Sequence, residues 1–584
     1  VALLFAAFCL VGTATSTARA SPLPPEPAAL PQDPAGPPRL NQKPETVQPI
    51  APPENPAVRK QPLAINLAPI ADWSPQAPFL DHFKTARPWI GHLAGRWGGA
   101  GHADLERAGY LDPDGWPTGI PPELGSIGTM VLTDLPAQAS SLAGRYALQY
   151  SGDGIIEVSG RAQNIRYAPG DIRFDFTPGP GAVEIRIQRT DRQATGDYIR
   201  HVSLVQEQHL SAFQSGQLFN PVWLERMRGF AVLRFMGWMA TNNSDQTGWE
   251  DRPQVTTYSW ALKGVPAEIL LDLTRELNVD PWFTLPHMAN DTYFRRFARL
   301  AARRLPPARK AYIEYSNEVW NAEFSQAHWA GQQARLRWGD EGLGLQFYGG
   351  RAAEMAQIWE QEFGTVAATR LVRVIATQSS RPELAEQILT APHWTKVQPD
   401  GRTPASYFDA YATAAEFGKE LGQESAAPML RDWLSQSAAE AGNDRGRRFD
   451  RATALATAEL TDGRLSGRRA GTLSSLLRDI LPAHDAIAQT HGIDLILYTA
   501  GSRMRAFGPP ADNKDLTAFF THLSYTPEMG ALYAQLLNGW ASLGGRLFTA
   551  GTDIATPTYW GSQGALRYLG DVNPRWEALE AAQQ

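Results

Sequence analysis

The chain has 584 residues, 43% of them apolar and 20% charged, with a formal charge of −6 and no long basic run. That balance fits a soluble globular protein with one large core or several smaller ones, and it argues against nucleic acid as a partner. The single cysteine, Cys9, lies in the first twenty residues, so the rest of the chain can form no disulfide, thiolate nucleophile or Cys-ligated metal site.

Residues 1–20, VALLFAAFCLVGTATSTARA, read as a secretory signal: an apolar core followed by the small-x-small pattern Ala18-Arg19-Ala20. The apolar run is too short and interrupted for a membrane span. The mature protein is therefore expected to be a secreted or periplasmic bacterial protein without a membrane span, and export without disulfides fits a good-sized core. Residues 21–62 carry fourteen prolines in 42 positions and read as an extended linker.

Residues 63–125 read as the start of a barrel, opening on the strand-like LAINLAPIADW. Residues 126–208 change character. Short alternating runs such as GRYALQY, GIIEVSG, DIRFDFTP and AVEIRIQRT are separated by Gly, Pro and Asp turns, which predicts an antiparallel β-rich insertion. Its Tyr146, Tyr150 and Tyr167 read first as ordinary strand residues, with glycan contact as the alternative.

From 209 to 584 helix and strand patterns alternate. AVLRFMGWMATN, DPWFTLPHMAND, AYIEYSNEVWN, TRLVRVIATQSS, FDAYATAAEFG, IDLILYTAG and GRLFTAGTD follow helical stretches and, with INLAPIADW, make eight candidate strands. That predicts an α/β (β/α)8 TIM barrel carrying the β-rich insertion. A doubly wound sheet is the alternative, weakened by the lack of a glycine-rich phosphate turn after the first strand. The polar helical region 423–471 reads as an elaborated barrel helix with a loop.

Chemistry in such barrels sits at the carboxyl ends of the strands. The first strand ends in Asp72-Trp73. The second holds Arg234 and runs on to Trp238 and Asn242; the third ends near His287, Asn290 and Asp291. The fourth ends in Asn317, Glu318 and Trp320, the fifth in Thr377-Gln378-Ser379 and the sixth in Glu416. The seventh ends in Tyr498-Thr499, and the eighth in Thr552-Asp553 with Tyr559-Trp560 beyond. Amides, carboxylates and indoles at one mouth suit sugar hydroxyls and sugar faces, although a large barrel also buries many of its 18 tryptophans for packing alone. No Ser-His-Asp set and no His-rich metal constellation competes, so no metal and no cofactor is expected. Some of these residues have structural readings too. His287 could be a satisfied core histidine, Arg234 a core arginine paired to Glu314, and Asp291 a helix cap. Glu318, flanked by Asn and Trp, is hardest to explain as structure.

At SNEVWN the chain resembles the (β/α)8 glycoside hydrolases whose acid/base Glu follows an Asn on strand four. It is similar, more closely, to a bacterial secreted family often labelled cellulose-binding or glycoside-hydrolase-like. IEYSNEVWN, LRFMGWMATNNS, DPWFTLPH and YWGSQGALRYLGDVNPRW carry that likeness from Leu63 to about Trp576. The resemblance implies a polysaccharide or oligosaccharide partner of the β-glucan or cellulose type. It implies Glu318 as general acid/base and Asn317 as the residue holding the hydroxyl beside the reacting carbon. Arg234, Trp238, Asn242, His287, Trp320, Tyr498 and Trp560 are the other expected sugar contacts.

The chain departs from that pattern in three places. Relatives carry Tyr-Glu-Gly-Gly at strand seven, whereas this chain has Tyr498-Thr499-Ala500-Gly501, putting Thr499 where the nucleophile belongs. Glu416-Phe417-Gly418 stands where relatives show an aromatic before Phe-Gly. Gly237 stands where they often carry an acid. Three readings follow. Glu416 or Asp553 serves as the second catalytic carboxylate; or the protein is a pseudo-enzyme that binds glycan without turnover; or strand seven is misaligned and Asp494 lies near the site.

Overall fold

The structure is a computed structural model that describes residues 57–508 and 513–583. The expected signal and most of the proline-rich linker lie outside the described residues. Eight parallel strands close into a barrel: β1 (Leu63–Asn66), β2 (Val232–Arg234), β3 (Asp280–Leu285), β4 (Ala311–Tyr315), β5 (Leu371–Ala376), β6 (Ala410–Phe417), β7 (Asp494–Ser502) and β8 (Phe548–Ala550). Strand β8 returns to pair with β1, Leu63 opposite Phe548, so the sheet has no edge and the doubly wound alternative falls. The fold is a TIM barrel with an inserted β-rich subdomain.

Sequence periodicity explains the outer ring. The helix Ala267–Leu277 buries Ile269, Leu270 and Leu273 on one face and ends at Asn278, whose φ of 53° makes a left-handed cap. The helix Asp291–Arg304 starts at Asn290, whose Oδ1 accepts from the Tyr293 N–H at 2.9 Å. Asn290 is thus the side-chain cap, and Asp291 instead pairs with Arg351 at 2.8 Å. Inside the barrel the fit is large against small. The Trp282 indole from β3 shares the interior with Ala64 of β1, Ala376 of β5 and Ala410, Ala412 and Ala414 of β6.

The insertion leaves the barrel after β1 and returns before β2. One antiparallel sheet orders Arg200–Gln206, Gly144–Ser151, Asp171–Phe176 and Gln163–Ala168. The other orders Gly99–Ala100, Ile90–His92, Ser126–Val131, Val183–Thr190 and Gly154–Gly160. Alternate residues such as Val183, Ile185 and Ile187 point into a common core with Tyr146, Leu148 and Phe174. Each such side chain contributes about 1.5–3 kcal/mol by burial. Two of the sheet's strands, Ile90–His92 and Gly99–Ala100, lie before residue 126, so that expected boundary falls inside the sheet. Region 423–471 holds two packed helices, Ala427–Ala441 and Asp450–Asp462, within the β6–β7 connection.

Candidate functional site

Strand β4 stops abruptly. Ser316 and Glu318 take φ values of 61° and 44°, the left-handed region that costs a non-glycine residue about 1–3 kcal/mol. Surrounding hydrogen bonds hold that turn. The Ser316 N–H donates to the Leu285 carbonyl at 2.8 Å, and Gln326 Nε2 donates to the Asn317 carbonyl at 2.8 Å. Asn317 Oδ1 accepts from Arg234 at 2.9 Å, while its Nδ2 donates to Asn242 Oδ1 at 3.0 Å. The result is a half-buried Glu318 whose carboxylate accepts from the Tyr498 hydroxyl at 3.1 Å and from Asn321 Nδ2 at 3.1 Å.

Beneath this turn lies a buried charged floor. Arg234, 1% exposed, donates to Glu314 Oε2 at 2.9 and 3.2 Å and to Asn66 Oδ1 at 3.0 Å. Its guanidinium lies 5.1 Å from the Trp282 ring and 5.4 Å from the Tyr498 ring. Trp282 Nε1 adds a third hydrogen bond to Glu314 Oε2, at 2.9 Å. Burial pushes the Glu314 carboxyl up, and Arg234 pulls it back down. Arg234 is therefore not a sugar contact. It is the core arginine paired to Glu314, and it acts on the site by holding Asn317.

Strand β7 brings Tyr498 under Glu318 through a bulge. The β6–β7 register pairs Thr413 with Leu497 and then Ala414 with Thr499, leaving Tyr498 as the extra residue. Its ring is buried in the barrel interior and only its hydroxyl reaches Glu318. Burial, then the charges of Glu318 and Glu416, hold that hydroxyl well above the usual tyrosine range, so it stays a donor. Tyr498 supports Glu318 and presents no face to a ligand. Asp494 begins β7 at the opposite end of the barrel and pairs with Arg546 at 3.2 Å, so it has no part in the site.

The second carboxylate is Glu416, near the end of β6 and in register with Gly501 of β7. About 25% of its side chain is exposed, and Oε2 accepts from Arg503 at 2.8 Å. Burial raises its pKa, Arg503 opposes this, and the charge of Glu318 raises it further. Both carboxylates reach side chains of β7, Glu318 the Tyr498 hydroxyl and Glu416 the Arg503 guanidinium.

The other expected site residues fall in several different places. Asp553 is 0% exposed; its carboxylate accepts from the Ala68 N–H at 2.8 Å and Trp223 Nε1 at 3.3 Å. It pins the β1 exit to the β8 exit and cannot meet substrate, although burial pushes its pKa up to about 6. Trp238 is fully buried against Trp223, ring centroids 5.4 Å apart, so its indole packs the core. His287 is buried 6.2 Å from the Trp329 ring, and burial lowers its pKa to about 4, which keeps it neutral. Trp320 is half-buried, its ring 6.2 Å from that of Tyr498. Asn242 accepts from both Asn317 and Gln326, at 3.0 and 2.8 Å. Trp560 is 64% exposed beyond β8. A Cβ on Gly237 would come within 2.4 Å of the Leu67 carbonyl oxygen, so the β1 exit fills the space an acid there would need.

Sequence reasoning missed Asn66, Gln326 and Arg503. Asn321 was visible three residues after Glu318, the spacing at which a turn brings two side chains together. The others come from distant elements and carry no local signal.

No sequence-family profile matches the chain, and no curated protein matches it. Among solved structures it is similar to the GH51 arabinofuranosidase from Xanthomonas axonopodis pv. citri. The identity is 11% over 62% of this chain and 64% of that one, with a TM-score of 0.32. The chain thus spans less than two thirds of that protein's length. The fold rests on the closed strand order and not on this likeness.

Proposed function

We propose that the protein is carbohydrate-active and of glycoside-hydrolase type, with Glu318 as general acid/base and Glu416 as the second carboxylate. The observation that carries this reading is the pairing itself. Two carboxylates from the tips of β4 and β6 both engage β7, each partly exposed and each held by a donor, Tyr498 or Arg503. In this mechanism Glu318 donates a proton to the glycosidic oxygen as the bond breaks. Glu416 either attacks the anomeric carbon or takes a proton from an attacking water. A carboxylate separation of about 5–5.5 Å suits the first course and about 6.5–9.5 Å the second. Substrates are polysaccharides or oligosaccharides of β-glucan type, and the place of action is outside the cytoplasm, as the residue 1–20 pattern indicates.

The test is reducing-sugar release from a panel of β-glucans. Wild type is expected to release ends, and Glu318→Gln to fall by about 10²–10⁴-fold while still folded. The anomer formed first, read by NMR, separates retention from inversion. A second reading, glycan binding without turnover, is favoured by Thr499, three residues before the end of β7, where the resemblance places the nucleophile, and by the Arg503 ion pair that engages Glu416. Nil release by both proteins, with retained pull-down on insoluble glycan, would select it.

A further inference from the structure

We infer that the site takes an acidic glycan, with Arg503, Arg505 and the face of Trp560 forming a subsite for a sugar carboxylate; this rests on the carbohydrate reading above and narrows its substrate class. Where the resemblance calls for an acid, strand β7 offers Thr499 and then runs out into Arg503-Met504-Arg505. Arg503 and Arg505 are exposed and the methionine between them is buried. The Arg503 N–H donates to the Phe417 carbonyl at 2.8 Å, which fastens the exit beside Glu416. Arg503 commits Nη1 to Glu416 but keeps a 48% exposed side chain, leaving donors of its planar fork for a ligand.

Arg505 lies 5.2 Å from the Trp560 ring centre, and among the described residues it pairs with no carboxylate. The Trp560 turn sits against the same strand exit. A Cβ on Gly561 would lie 3.1 Å from the Met504 carbonyl oxygen, and its φ of 123° suits glycine alone. Glu416, Arg503, Arg505 and Trp560 are thereby linked along the exits of β6, β7 and β8, and Tyr498 of β7 reaches Glu318 at the end of β4. Two carboxylates at the barrel mouth would repel an anionic sugar. Two guanidiniums beside them offset that repulsion and match the bidentate geometry of a carboxylate, while the exposed indole offers an apolar face to a sugar ring.

The experiment is isothermal titration of the full protein with β-glucan oligosaccharides of one length in three forms: neutral, oxidised at C6 to the carboxylate, and sulfated. The oxidised form is expected to bind at least about tenfold tighter than the neutral one, the worth of one charge-assisted contact, and to weaken with salt. In Arg505→Gln and Arg503→Gln, folded by melting temperature, the ratio of oxidised to neutral affinity should collapse towards unity. Equal or tighter binding of the neutral form overturns the inference and leaves the carbohydrate reading standing. A preference for the sulfated form, or one that survives both substitutions, overturns the carboxylate subsite. Binding of none of the three overturns the inference together with the carbohydrate reading.

Discussion

Glu318 is held on strained backbone by residues that never meet a ligand. Arg234 is the chief of these, because it satisfies Glu314, Asn66 and Asn317 at once. Arg234→Met would leave Glu314 buried without its cation, and breaking such a pair costs about 3–5 kcal/mol. Urea denaturation should show a loss of that size, and a change below about 1 kcal/mol would mean the network is not what holds the turn. Tyr498→Phe removes one donor to the candidate acid and leaves the ring packing intact. Its turnover is expected to fall about tenfold with KM little changed, since the lost hydrogen bond is worth about 1.4 kcal/mol. A rise in KM at constant kcat would instead make Tyr498 a ligand contact. The Arg234–Glu314 pairing was legible because the two positions lie on β2 and β4, alternate barrel strands whose inward-pointing residues share a layer of the interior. Asp553 and Trp238 misled because a strand tip tells which end of the barrel a residue occupies and not which side of the sheet it faces.

At the scale of elements, Asp553 joins the β8 exit to the β1 exit through Ala68 and to the helix Pro221–Met227 through Trp223. Its pKa is raised from 3.8 to about 6, so the folded state holds this proton more tightly than the unfolded chain. Its contribution to stability is fully present below about pH 4 and is lost as pH rises through 6, amounting to about 3 kcal/mol by pH 7. Asp553→Asn removes that titration. The stability difference between wild type and variant should therefore shift against wild type between pH 4 and 7 in denaturant melts. Parallel pH profiles would show that Asp553 does not titrate in this window. The barrel strands themselves were legible from alternating helix and strand patterns. The bulge at Tyr498 was not, because an extra residue in a strand leaves no mark on hydrophobic alternation when its side chain is itself apolar-faced.

Across the whole molecule, the barrel and its insertion followed from two different periods in one chain, 3.6 with strands between and then 2. The insertion boundary was blurred because the short strands Ile90–His92 and Gly99–Ala100 carry too few residues to show a period. The candidate site was half legible: Glu318 and Glu416 stood at strand tips, whereas Arg503 and Asn66 gain meaning only once the barrel closes. Its central proposition is that these two carboxylates face one sugar-binding cleft. Crystals of Glu318→Gln soaked with neutral and C6-oxidised β-glucan oligosaccharides test it most directly. The expected electron density is a sugar ring lodged between positions 318 and 416 with its glycosidic oxygen against the new amide. Sugar found only elsewhere, such as on the exposed Tyr167 face of the insertion, with that cleft empty, would contradict it.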